Sequence, residues 1–207
     1  MKKTALFVLI FCFFLLSLNM EAQTWSALKR LTWSSGGSEC PHIAIDSSNV
    51  IHLVWRETPP LNNEEIYYKK SANGGTSFSA PMRLTWTSTM SMNPLIAVDS
   101  SKIHVVWNEN LIVSENPNFE LMYKQSTDGG ANWSAPKRLT FSSGGSMAYS
   151  LVVDSSSIIH VAYVDDSPGN NEIFHKRSTD GGTTWSPPKR MTWNSGSSET
   201  PRMAVDS

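Results

Sequence analysis

The sequence predicts an all-β protein built from repeats of one four-stranded antiparallel unit, and three observations predict it. An aromatic residue is followed 21 positions later by an aspartate four times: Trp25 to Asp46, Phe78 to Asp99, Trp133 to Asp154 and Trp185 to Asp206. Short segments rich in Val, Ile, Tyr, Phe and Trp recur at matching places in each copy, bounded by turn residues and without a helical period. A fixed turn of the form S-x-D-x-G-x-x-W separates the third such segment from the next aromatic. A repeat held this tightly sets the architecture before any single residue is interpreted. It also directs the search for chemistry toward the columns that vary.

The first 22 residues stand apart from the repeats. Lys2 and Lys3 precede an apolar run from Ala5 to Leu16, and a polar segment follows that ends in Glu21, Ala22 and Gln23. This is the layout of a secretory signal peptide cut after Ala22, although Met20 departs from the usual small residue before the cut. The run is shorter than the ~20 residues a spanning helix needs, so no membrane span is expected once the signal is removed. The expected address is secreted, periplasmic or at the cell surface. Leu9-Ile10-Phe11-Cys12 does not make a lipoprotein box, because Phe11 is too bulky before the cysteine. Removing the signal leaves Cys40 alone, so no internal disulfide forms and packing must hold the fold. The chain's formal net charge of -1, with no long run of one sign, gives no footing for nucleic acid or a charged membrane surface.

The elements then follow in a constant order. Five residues after each aromatic comes Arg30, Arg83, Arg138 or Arg190, followed by Leu or Met, then Thr, then Trp or Phe. A Ser/Gly/Met loop leads to an inner strand at Ile43 to Ile45, Leu95 to Val98, Leu151 to Val153 and Met203 to Val205. Asp and Ser close that strand in a turn. Second strands are expected at Ile51 to Trp55, Ile103 to Trp107 and Ile159 to Tyr163, and third strands at Glu65 to Lys70, Glu120 to Gln125 and Glu172 to Arg177. The turn motif is complete at Ser126, Asp128, Gly130 and Trp133 and again at Ser178, Asp180, Gly182 and Trp185. A weakened copy stands at Ser71, Asn73, Gly75 and Phe78. Its physics is that of a tight hairpin: the carboxylate accepts backbone N–H groups, glycine supplies a positive φ and the indole covers one side. A buried Trp removes ~150 to 250 Å² from water, roughly 4 to 6 kcal/mol before entropy is charged against it.

These motifs resemble the Asp-box, or bacterial neuraminidase repeat, of the sialidase-like β-propellers, and the resemblance covers essentially everything after Gln23. It implies a β-propeller of four-stranded antiparallel blades. On that reading residues 23–207 form a partial propeller with about three complete blades, near 41–85, 94–140 and 149–192. A closing outer strand from Trp25 to Thr32 precedes them, and one inner strand ends the chain at Ser207. The chain is expected to be truncated, since an apolar inner strand without its neighbour is an aggregation hazard. The rival reading is a half-propeller that dimerises into a ring. Kelch repeats space their Tyr and Trp differently, and no WD40 dipeptide pattern is present.

The resemblance also divides the faces, with the Asp-box turns lying away from the binding side. That side is made by the loops into each inner strand and by the unlike loops 56–64, 108–118 and 164–171. Sialidases use an arginine triad, a tyrosine nucleophile with its glutamate, and an aspartate acid/base; none is carried over, because the F/Y-R-I-P motif of the first family arginine is missing. Arg30 and its counterparts read as structural, as does the Asp46 series. His52, His104 and His160 fall one per blade and too far apart for a shared metal, so no metal is expected. No EF-hand pattern accompanies the glycine turns, and no cofactor is expected. The varying column at the mouth of the inner strand holds His42, Leu95, Ser150 and Arg202. His42 and Arg202, with Arg56, Asn108 and Asp166 from the loops, are the candidate ligand-binding residues. Glu57, Glu109 and Asp165 are added as candidates, though they read more readily as loop caps than as catalysts. The functional expectation is an exported module that recognises a glycan or an extracellular protein without turnover. The alternative is a piece of a sialidase-like exo-glycosidase whose catalytic residues lie mostly elsewhere.

Overall fold

The computed structural model describes residues 26–58, 63–111 and 118–206. The expected signal peptide, Trp25 and Ser207 lie outside the described residues. Contacts divide the chain at Arg30, and everything below concerns the unit from Leu31 onward. That unit is all-β, and among the described residues no helix occurs.

Three four-stranded antiparallel sheets make up the fold, each in simple chain order. The first holds β1 (Ser38–Ile45), β2 (Ile51–Glu57), β3 (Glu65–Ser71) and β4 (Met82–Arg83). The second holds β5 (Ser91–Asp99), β6 (Lys102–Asn110), β7 (Phe119–Ser126) and β8 (Lys137–Arg138). The third holds β9 (Ser146–Val153), β10 (Ile159–Asp165), β11 (Glu172–Ser178) and β12 (Lys189–Arg190). Each is a blade, with its inner strand first and its outer strand last.

Alternation within the strands explains the stacking. Ile103, Val105 and Trp107 of β6 pack with Val54, Ile66 and Tyr68 of the first blade. Val106, between them, packs with Leu151, Val161 and Tyr163 of the third. Both faces of β6 are covered by a neighbouring blade, which is why the strand is buried almost throughout.

Two expectations about strand lengths change. The inner strands begin earlier than expected, because a bulge lets pairing continue past it, between Glu39 and His42 in β1 and between Met92 and Leu95 in β5. The outer strands shrink to two residues each, with Pro81, Pro136 and Pro188 immediately before them. Proline has no N–H to give a ladder, so pairing starts only after it.

The two expected partial elements carry no ladder. The described part of the closing outer strand, 26–32, is not paired as a strand, and neither is Met203 to Val205. Leu31 and Met203 nevertheless make bonds that match those of other repeats. Leu31 O accepts from Lys69 Nζ at 2.6 Å, as Leu84 O does from Lys124 and Leu139 O from Lys176. Met203 N donates to Ser150 Oγ at 3.1 Å, much as Ile96 N donates to His42 Nδ1 at 3.2 Å two blades earlier.

The Ser-Asp-Gly turns tie each blade to the one before it. Ser126 Oγ donates to Asp128 Oδ1 and accepts from Gly130 N, both at 2.8 Å, while Asn132 N donates to the same carboxylate at 2.9 Å. The copy at Ser178 and Asp180 repeats this. Asn73 replaces the aspartate in the first turn and still accepts Ser77 N at 2.9 Å. Gly130, at φ +85°, lies against the Tyr68 hydroxyl of the preceding blade, and Gly182, at φ +87°, lies against Tyr123. Trp133 and Trp185 cover the same tyrosines edge-on, with ring centroids 5.2 Å apart in both cases.

Candidate functional site

Inner strands β1 and β5 each carry one left-handed residue, and the unpaired last segment repeats it. Cys40, Asn93 and Thr200 have φ of 51°, 52° and 52°, and each precedes a proline: Pro41, Pro94 and Pro201. Tyr149 takes the proline position in the third blade. Such bulges bend a strand and re-aim its side chains, and they concentrate at rims and beside sites. A cavity of about 600 Å³ lies beside Cys40 and Asn93, lined from β1, β5 and β9 and by Arg202 and Met203. Its polar lining includes Cys40, His42, Asn93, Tyr149, Ser150 and Arg202, with Leu95, Met147 and Met203 supplying apolar surface.

His42 and Arg202 therefore share one cavity, although they lie three repeats apart in sequence. His42 Nδ1 accepts the Ile96 amide, so the ring's orientation is set by the neighbouring blade. Burial lowers its pKa, and the Arg202 guanidinium lowers it further, so the imidazole is neutral at neutral pH. Arg202 donates to the Tyr149 carbonyl, which holds the guanidinium at the rim. The arrangement is a cationic rim over a mixed polar and apolar floor, suited to an oxygen-rich ligand.

The other candidates stand at the second-to-third strand junctions, outside this cavity, and their hydrogen bonds serve the fold. Arg56 is clamped by Glu64, at 2.9 Å, and by Glu39. Glu57 accepts the Trp55 indole N–H at 2.8 Å. Glu109 accepts from Thr89, Ser91 and Trp107 at 2.7, 2.6 and 2.8 Å. Asp165 accepts from Ser142, Ser146 and the Ser167 amide. Asn108 is fully buried and accepts the Ala148 amide at 2.8 Å, bridging two blades. Asp166 accepts Gly145 N at 2.7 Å.

The repeated histidines and arginines are likewise occupied. His52 and His104 bond Tyr68 and Tyr123 at 2.8 Å, and His160 bonds His175 at 3.1 Å. Arg83, Arg138 and Arg190 pair with the fully buried Glu65, Glu120 and Glu172 at 2.6, 2.8 and 2.9 Å. Among the described residues no three His, Cys, Asp or Glu side chains gather as a metal would need.

Sequence reasoning missed Tyr149, Asn93 and Cys40 as lining residues. The X-Pro column just ahead of the inner strand was the available signal, and Tyr149 is the position that breaks it.

No family model matches the chain, and no curated protein matches it. Solved structures do match. The Hadza microbial sialidase Hz136 superposes with a TM-score of 0.63 at 15% identity, covering 73% of this chain and 37% of that one. A Trypanosoma rangeli sialidase in complex with the inhibitor DANA gives 0.59 at 14% identity, over 72% of this chain and 30% of its own. A PL25 ulvan lyase gives 0.53 at 12% identity, over 72% and 42%. The chain thus spans well under half the length of these proteins. Its fold is that of the sialidase-like β-propellers.

Proposed function

We propose that the chain is an exported Asp-box propeller module that recognises a glycan at the cavity where the inner strands meet. The observation that supports this reading is the meeting of His42 and Arg202, both from the column that varies between repeats, at the rim of one cavity. The repeated polar residues around it are consumed by the fold, whereas this pair is not duplicated from blade to blade. Apolar floor and fixed polar groups in a cavity of this size are what a small ligand site requires. The guanidinium favours a glycan bearing a carboxylate or sulfate.

The second reading, part of a sialidase-like exo-glycosidase, draws on the sialidases named above and on the phenol of Tyr149 in the cavity lining. One pair of measurements separates the two. A glycan array probed with the chain is expected to return acidic glycans, while a fluorogenic sialoside is expected to stay intact. Turnover of that sialoside, abolished by Tyr149→Phe, would overturn the recognition reading in favour of the enzyme. An array that returns no glycan would leave a protein partner as the ligand class.

A further inference from the structure

Three residues after each outer strand stands an aromatic residue that stays in water. Trp86 is 67% exposed and Phe141 77%, although the blade interfaces beside both are complete. Beside each ring a cleft opens between adjacent blades. The first, about 360 Å³, has Trp86 facing Trp107 and Met122, with Thr87 and Thr89 at its rim. The second, about 440 Å³, has Phe141 facing Tyr163 and Phe174, with Ser143 and Ser167 at its rim. Each is also lined by a lysine, the buried Lys124 or the half-buried Lys176, that donates to the preceding blade's Leu84 or Leu139 carbonyl.

We propose that these inter-blade clefts are stacking subsites for uncharged sugar rings of a polysaccharide, a role separate from the cavity at the inner strands. Resting on the glycan reading above, it extends that reading to a second location. A pyranose ring offers an apolar C–H face to an aromatic plane and hydroxyls at its edge, and each cleft supplies the aromatic wall and the hydroxyl rim. Charge argues for an uncharged ring. Each cleft holds one lysine and one carboxylate, Glu109 or Asp165, each carboxylate already accepts three donors, and the arginine over each ring, Arg83 on Trp86 or Arg138 on Phe141, is paired with Glu65 or Glu120. A peptide fits less well, because outer strands of two residues preceded by proline offer no edge for an added strand. The same cleft one blade further on suits a ligand that itself repeats, since linked rings engage both subsites at high effective concentration.

Affinity electrophoresis of the chain in gels containing galactomannan, laminarin, dextran or hyaluronan tests this. Retardation by at least one of the three neutral polymers is expected, with a tenfold or greater loss of affinity in W86A/F141A. The aromatic exchange W86F/F141W is expected to restore it. Should W86A/F141A melt early, F141A alone carries the test, since that ring is the more exposed. No retardation by any neutral polymer, or unchanged retardation in the alanine variants, overturns the proposal. Loss of neutral-polymer binding in H42A/R202A but not in W86A/F141A overturns it too, while leaving glycan recognition at the cavity standing. Failure to bind any polymer or array glycan removes both.

Discussion

Two glycines side by side in the turn after β7 show how much one residue's surroundings decide. Gly129 and Gly130 both have positive φ, +67° and +85°, so alanine is strained at either. Only at Gly130 would a new methyl also meet the Tyr68 hydroxyl and ring of the preceding blade. Gly129→Ala is expected to cost about 1 kcal/mol, and Gly130→Ala about 3 kcal/mol, adding overpacking to strain. Chemical denaturation of both variants checks the difference, and equal losses would deny the tyrosine contact. His104 makes a second residue-scale prediction. Burial lowers its pKa from 6.5 to about 4, with Asp99 partly opposing. The unfolded chain then binds a proton that the folded chain refuses between those values. Stability from this group is full above pH 6.5 and is lost as pH falls toward 4. His52, lowered chiefly by the same burial, acts in the same direction. Thermal midpoints measured across that range should fall with pH, and His104→Gln should flatten the decline.

At the scale of the element, the Ser-Asp-Gly turns and the outer strands carry the account. Asp128 has its pKa held down to about 2, chiefly by the Asn132 backbone amide and side chain, with Ser126 adding to it. Asp180 is held at about 2 by Thr184 and Ser178. A depressed carboxylate contributes stability that is present above its unfolded value of 3.8 and lost as pH falls toward 2. Asp128→Asn, which makes that turn like the one at Asn73, should therefore lessen acid unfolding between pH 4 and 2, read by circular dichroism. The outer strands depend instead on an ion pair whose acid is fully buried. Arg138→Ala strands Glu120 and is expected to cost about 3 kcal/mol, whereas the double change R138M/E120M should recover much of it. These turns and strands were legible in sequence because each recurs with its spacing intact. The bulges at Cys40 and Asn93 were not, since a left-handed residue before proline has no local propensity to announce it and follows from the strand's curvature.

Across the whole molecule, repeated columns build the fold and a varying column lines its cavity. That division made His42 and Arg202 visible in sequence, for they occupy equivalent positions in different repeats and differ in kind. Glu57, Glu109 and Asp165 sat at the right end of the blades, and only the structure shows their oxygens taken up by Trp, Ser and Thr donors. Tyr149 was hidden for the opposite reason: it replaces a proline, and its significance rests on which inner strands converge around it. The measurement that bears most directly on the account is isothermal titration of the best acidic glycan from the array into the chain and into H42A/R202A. A tenfold or greater loss of affinity, about 1.4 kcal/mol or more, with the thermal midpoint nearly unchanged, is the predicted result. Undiminished affinity in the double variant would contradict it and move recognition away from the inner strands.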